Sequence, residues 1–90
     1  MLSDFETQML TVVRRMKNIA VLPLVTLSSA ASARELAAVL RKTGVAGIEV
    51  TYRSSQAAEA IAALRAEVPE LLIAAGTVLT KNQIDSACDA

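Results

Sequence analysis

Three apolar runs of strand length, recurring at a spacing of about 25 residues, set the tightest limit on how this chain folds. Leu22, Ile48 and Ile73 read as equivalent strand positions within them, and the runs alternate with segments that carry a helical stripe. Residues 19–25 and 71–75 are continuously apolar, and such runs mark strands covered on both faces, as in parallel sheets. Strands alternating with helices require parallel strands joined by right-handed crossovers. Two architectures satisfy this: a small doubly wound sheet, or part of a (β/α)8 barrel, which needs about 200 residues or more. Eight units of this period fill roughly that length. Three units fill the 90 residues present.

The helical segments are marked by their stripes and caps. Phe5, Met9, Val12, Val13 and Met16 form one helical stripe, opened by a Ser3–Glu6 capping box. Arg14, Arg15 and Lys17 then sit where the helix dipole favours cations. Ser32 with Glu35 reads as a second capping box, Leu36, Val39 and Leu40 as the inward face, and Gly44 as the left-handed stop. Ser54 and Ser55 offer caps for a third helix, whose stripe is Ile61, Leu64 and Val68 and whose end is Pro69. Thr80 and Gln83 box the start of a fourth, with Ile84, Ala87 and Cys88 along its apolar side. Cys88 thus reads as a small core residue. The expected organisation is one partial domain over residues 1–90, an N-terminal helix (1–18) followed by three β/α units (19–90).

Composition removes several function classes. Nine basic and nine acidic side chains cancel, which leaves no electrostatic footprint for nucleic acid or an acidic membrane. There is no His and one Cys, so neither a metal site nor an internal disulfide is expected. The least charged stretch, residues 18–32, is broken by Pro23, Thr26 and several serines and does not read as a membrane helix. The first 17 residues mix apolar and charged side chains, unlike a secretory signal, so the chain reads as cytoplasmic.

Chemistry concentrates at two strand ends. In the run Gly47 to Arg53, alternation puts Ile48 and Val50 on one face and Glu49, Thr51 and Arg53 on the other. A carboxylate within an apolar strand is costly to bury unless it is paired or functional. Glu49 and Arg53 read either as an internal ion pair or as separate groups around a ligand. Four residues of strand span about 13 Å, which makes direct pairing poor. At the end of the third run, Gly76 permits close approach and Thr77 adds a hydroxyl, although the segment also reads as a plain strand-to-helix turn.

Taken in order, Val21-Leu22-Pro23-Leu24-Val25, Gly44-Val45, Ile48-Glu49-Val50-Thr51-Tyr52-Arg53-Ser54, Val68-Pro69-Glu70 and Ala75-Gly76-Thr77-Val78-Leu79 resemble the N-terminal part of the 2-keto-3-deoxy-6-phosphogluconate (KDPG) aldolases. The likeness runs from Ala20 onward, and the pairing of E-V-T-x-R with G-T-V-L is its specific part; Ala74 departs from it, standing where many members have Gly. The resemblance implies a (β/α)8 barrel, a homotrimer, and a class I aldolase of the Entner–Doudoroff route that yields pyruvate and glyceraldehyde 3-phosphate without metal or cofactor. It implies that Glu49 is the general acid/base, that Arg53 holds the pyruvyl carboxylate, and that Thr77 lies beside the bound keto acid. It also implies that the Schiff-base lysine belongs to a later strand, beyond Ala90. Lys17, Lys42 and Lys81 all fall at helix ends. Two readings compete: an aldolase for the phosphogalactonate epimer or for 4-hydroxy-2-oxoglutarate, and a non-catalytic α/β interaction module. The arginine at position 53 favours the gluconate series.

Overall fold

A computed structural model describes all residues from Met1 to Ala90. The elements are α1 (Asp4–Lys17), β1 (Leu24–Val25), α2 (Ala30–Thr43), β2 (Gly47–Thr51), α3 (Ala57–Glu67), β3 (Leu72–Gly76) and α4 (Lys81–Asp89). The three strands form one parallel sheet in the order β1-β2-β3. Leu24, Glu49 and Ala74 stand side by side, as do Val25, Val50 and Ala75. The register therefore repeats the sequence period directly. It also corrects one assignment: Ile48 and Ile73 are partners, and the residue that continues their row is Pro23 rather than Leu22. A slip of one residue exchanges the two faces of a strand.

Helices α2 and α3 cover one face of the sheet. Ile48, Val50, Ala33, Ala37, Leu40, Ala60, Ile61 and Leu64 belong to the buried cluster, which Leu27, Val68 and Leu71 complete. Alanines on the facing helices let the backbones approach closely, and Leu64, Ile48 and Val50 fill the space between the layers. The other face has no helix over it, and Leu24 is 60% exposed. Helices on one face, none over the other and strictly parallel strands give an arc of barrel wall rather than a doubly wound sheet.

Strand β1 is shorter than its apolar run. Pro23 has no N–H for the ladder, but its carbonyl still accepts from the Glu49 N–H at 2.8 Å. Helix α1 buries none of its residues. It is tied at its C-terminal end, where the Arg15 guanidinium donates to the Glu70 carbonyl at 2.8 Å, below the start of β3. No helix is long and apolar enough to cross a membrane.

The helix signals were only partly placed by sequence. Ser3 caps α1 by accepting from the Glu6 N–H, Thr80 caps α4 by accepting from the Gln83 N–H, and Gly44 closes α2 at φ +74°. Helix α2, however, starts one turn earlier than the Ser32–Glu35 box implied, because Ser29 accepts from the Ser32 N–H. Its buried stripe is accordingly Ala33, Ala37 and Leu40, which leaves Val39 exposed. Neither Ser54 nor Ser55 caps α3, which begins after Gln56 with no side-chain cap; Ser54 Oγ instead accepts from the Gln56 N–H within the preceding turn. Cys88 is exposed rather than a core residue, and Ile84 is exposed with it, because α4 meets the rest of the molecule through only part of its surface.

Leu64 and Val39 separate the two kinds of apolar position. Leu64→Ala should cost about 2–5 kcal/mol by urea unfolding, since it opens a cavity between α3 and the sheet. Val39→Ala should stay within about 0.5 kcal/mol.

Candidate functional site

Alternation along β2 places the chemistry as expected for its central residues. Ile48 and Val50 point to the helices and are fully buried, while Glu49 lies on the opposite face and is half-buried. Leu24 and Ala74 flank it in register. Two residues along β2, Thr51 is 1% exposed, and its hydroxyl is 2.7 Å from that of Thr26 at the end of β1. The partner of Thr51 on the other side is Gly76. Thr26, Thr51 and Gly76 thus form the last row of the bare face, at the C-terminal end of the strands.

The Glu49 side chain reaches towards that last row. Its carboxyl group packs on Gly76, with Oε1, Cδ and Cγ all close to where a Cβ on that glycine would stand. No side-chain hydrogen bond is made by the carboxylate within the chain, and no salt bridge engages it. The ion pairs of the molecule are Arg41–Glu67 and Lys81–Asp85. Glu49 and Arg53 therefore do not neutralise each other, and the carboxylate is available on the open face.

Arg53 is not a strand residue. Strand β2 ends at Thr51, and Arg53 lies exposed in the turn that follows. Strand parity does not set its direction; the turn does. That turn is held against the neighbouring strand, since the Tyr52 N–H donates to the Gly76 carbonyl at 2.8 Å and the Tyr52 hydroxyl is 3.1 Å from that of Ser86 on α4.

Thr77 directly follows β3 and adopts φ +54°, the only non-glycine residue with positive φ. A β-branched residue in that region is strained by roughly 1–3 kcal/mol. The strain is sustained by the bonds on both sides: the Tyr52 link to Gly76, and the Leu79 N–H donating to Gln83 Oε1 at 2.6 Å. Strained residues of this kind cluster at functional sites and occur in turns as well.

Glu49, Arg53 and Thr77 therefore share the C-terminal edge of a parallel sheet, the edge at which sites on barrels and open α/β sheets are built. The structure adds Gly76, which receives the carboxylate, and the Thr26–Thr51 hydroxyl pair. Gly76 carried a signal in sequence as a glycine at a strand end. Thr26 carried none, because its pairing depends on register. None of the surface hollows contains Glu49, Arg53 or Thr77. An arc of three strands lines one side of a site without enclosing it. Lys17 and Lys42 lie in the last turns of α1 and α2, and Lys81 opens α4 in its pair with Asp85, so no lysine stands on a strand.

The sequence and the fold both have counterparts among known proteins. The family model described as KDPG and KHG aldolase matches residues 12–90. A 2-dehydro-3-deoxy-phosphogluconate aldolase of Treponema pallidum is 43% identical over 79 residues, covering 88% of this chain and 38% of that protein. One from Haemophilus influenzae is 41% identical over 73 residues, covering 81% and 34%. This chain thus spans little more than a third of the length of these relatives. Among solved structures, the 2-keto-3-deoxy-6-phosphogluconate aldolase of Zymomonas mobilis superposes with a TM-score of 0.75 at 33% identity, over 87% of this chain and 37% of that one. A Legionella pneumophila KDPG aldolase, solved with pyruvate captured as a covalent carbinolamine, superposes with a TM-score of 0.68 at 32% identity, over 76% and 33%. The open three-stranded sheet corresponds to part of the barrel of these enzymes, and the chain belongs to the KDPG and KHG aldolase family.

Proposed function

We propose that this chain supplies the acid/base and carboxylate-holding side of a class I aldolase site that cleaves 2-keto-3-deoxy-6-phosphogluconate to pyruvate and glyceraldehyde 3-phosphate. The observation that carries the reading is the unpaired Glu49 carboxylate on the bare face of β2, at the same strand edge as Arg53 and the strained Thr77. The relative captured with pyruvate as a carbinolamine supports the keto-acid substrate.

Each residue has work that suits its chemistry. An amine attacks the C2 carbonyl, and the carbinolamine must lose its oxygen as water. Glu49 delivers the proton that this departure needs. Cleavage of the C3–C4 bond then sends its electron pair into the iminium, while the C4 hydroxyl gives up a proton and leaves as the aldehyde. Glu49, now a carboxylate, takes that proton. Returning it to C3 of the enamine and hydrolysing the iminium release pyruvate. One carboxyl group serves every transfer, and general acid/base help of this kind is worth about 10²–10⁴-fold. Arg53 matches the planar pyruvyl carboxylate with a two-pronged donor. The Thr77 hydroxyl adds a donor beside the keto acid.

In this reading the amine lies outside residues 1–90, on a later strand, and the completed enzyme works in the cytoplasm as a homotrimer of the Entner–Doudoroff route. The residues assigned here touch only the pyruvyl half. Cleavage of 4-hydroxy-2-oxoglutarate fits the same half-site, and the KHG/KDPG aldolase of Escherichia coli, 37% identical over 70 residues, favours it as a second substrate.

Two experiments test the assignment. Pyruvate with borohydride should leave no mass adduct on the 90-residue chain. A stable adduct on Lys17, Lys42 or Lys81 would place the nucleophile within it and overturn that part of the proposal. When residues 1–90 are joined to the complementary C-terminal part of the Zymomonas mobilis enzyme, Glu49→Gln should lower kcat by about 10²–10⁴-fold. Unchanged turnover would remove Glu49 from the chemistry.

A further inference from the structure

Gly76 is glycine for a reason that its backbone does not supply. Among the glycines only Gly44 has a positive φ. What sets Gly76 apart is space: a Cβ there would stand 2.6 Å from Glu49 Cδ and 3.0 Å from Glu49 Cγ, and it would overlap Oε1 as well. The atoms in conflict are those of the carboxyl group and its stem, so even the smallest side chain at position 76 displaces the acid.

Register shows the direction of that displacement. Glu49 is paired with Ala74, not with Gly76. Its carboxyl group therefore runs diagonally, two residues further along the neighbouring strand, or about 6–7 Å towards the C-terminal edge. Ala74 and Gly76 face the same side, because residues two apart on a strand do. The Ala74 methyl takes up room directly across from Glu49, and the missing methyl at Gly76 leaves room beyond it. Together they tilt the acid from the middle of the sheet to the edge where Arg53 and Thr77 lie.

We propose that Gly76 is a positioning residue: its bare Cα is the seat that holds the Glu49 carboxyl group at the strand edge, level with the bound keto acid. The inference rests on the acid/base role assigned to Glu49. It requires that the cost of filling the seat depend on the length of the acid. Gly76→Ala pushes a glutamate off its seat, whereas an aspartate, one methylene shorter, does not reach the overlapping Oε1 position and keeps only the closer-in conflict of its stem with the new methyl.

The test combines a contact with a kinetic cycle. In the intact 90-residue chain, nuclear Overhauser contacts should join the Glu49 γ protons to the Gly76 α protons. Their absence overturns the proposal, whatever the variants do. In the joined enzyme described above, Gly76→Ala should lower kcat by about 10²-fold while KM changes by less than about threefold, the signature of a misplaced acid rather than a lost binding contact. Glu49→Asp alone should lower kcat, and in the double variant with Gly76→Ala the two losses should be less than multiplicative, a coupling that a merely structural glycine does not produce. Two outcomes overturn the positioning role while leaving the acid/base reading intact: turnover near that of the parent in Gly76→Ala, or costs that simply multiply in the double variant. If Glu49→Gln itself retains full turnover, both readings fall.

Discussion

The pairing of β2 with a neighbour on each side, at the same offset of 25 residues, is the constraint on which the rest of the structure depends. Because the offset is equal in both ladders, chemically different residues line up in straight rows. One row is Leu24, Glu49 and Ala74, and the next on the same face is Thr26, Thr51 and Gly76. The intervening rows point to α2 and α3 and are apolar throughout. A shift of one residue in either ladder would turn Glu49 into the helix layer, where an unpaired carboxylate is prohibitively costly. Stability and site geometry thus follow from the same register. The buried Ile48 and Val50 hold the strand with its apolar side on the helices, which presents Glu49 to the open face.

The proposed site lies where this regularity ends. Beyond Thr51 and Gly76 the chain turns back towards helices, and of the proposed site residues Arg53 and Thr77 stand just past the last row, while Glu49 reaches it from the row before. Arg53 lies in a turn fastened to β3 and α4, and Thr77 is bent into a left-handed conformation by bonds on either side of it. Strained or loop-borne groups on a rigid sheet edge hold position without sacrificing the core. The lack of a covering layer on the face beneath them accounts for the openness of the site, since three strands enclose nothing by themselves.

Much of this was legible in the residues. The strand–helix alternation, the parallel sheet, the Gly44 stop and the separation of Glu49 from Ile48 and Val50 all follow from local pattern. The failures have local causes too. Ser29 and Ser32 both carry a capping hydroxyl, and it is Ser29 that accepts from the Ser32 N–H, which adds a turn ahead of the buried Ala33 and Ala37. Val39 and Cys88 fit a helical stripe, but a stripe is broader than the surface a neighbouring layer covers. Leu22 looked equivalent to Ile48 because both are aliphatic; the true equivalent, Pro23, is disguised by its ring. Arg53 was given a strand direction that the turn after Thr51 cancels.

By itself, the sequence determined which residues alternate, where helices begin and end to within a turn, and that an ionisable group interrupts an apolar strand. These are consequences of nearest-neighbour geometry and burial, which act along the chain. Only the tertiary structure decided what stands beside what. That Glu49 has no ionic partner, that its carboxyl group leans past Ala74 onto Gly76, and that Thr26 meets Thr51 are facts of register between segments some 25 residues apart. Local propensity does not carry that information, because it arises from fitting three strands and two helices around one core.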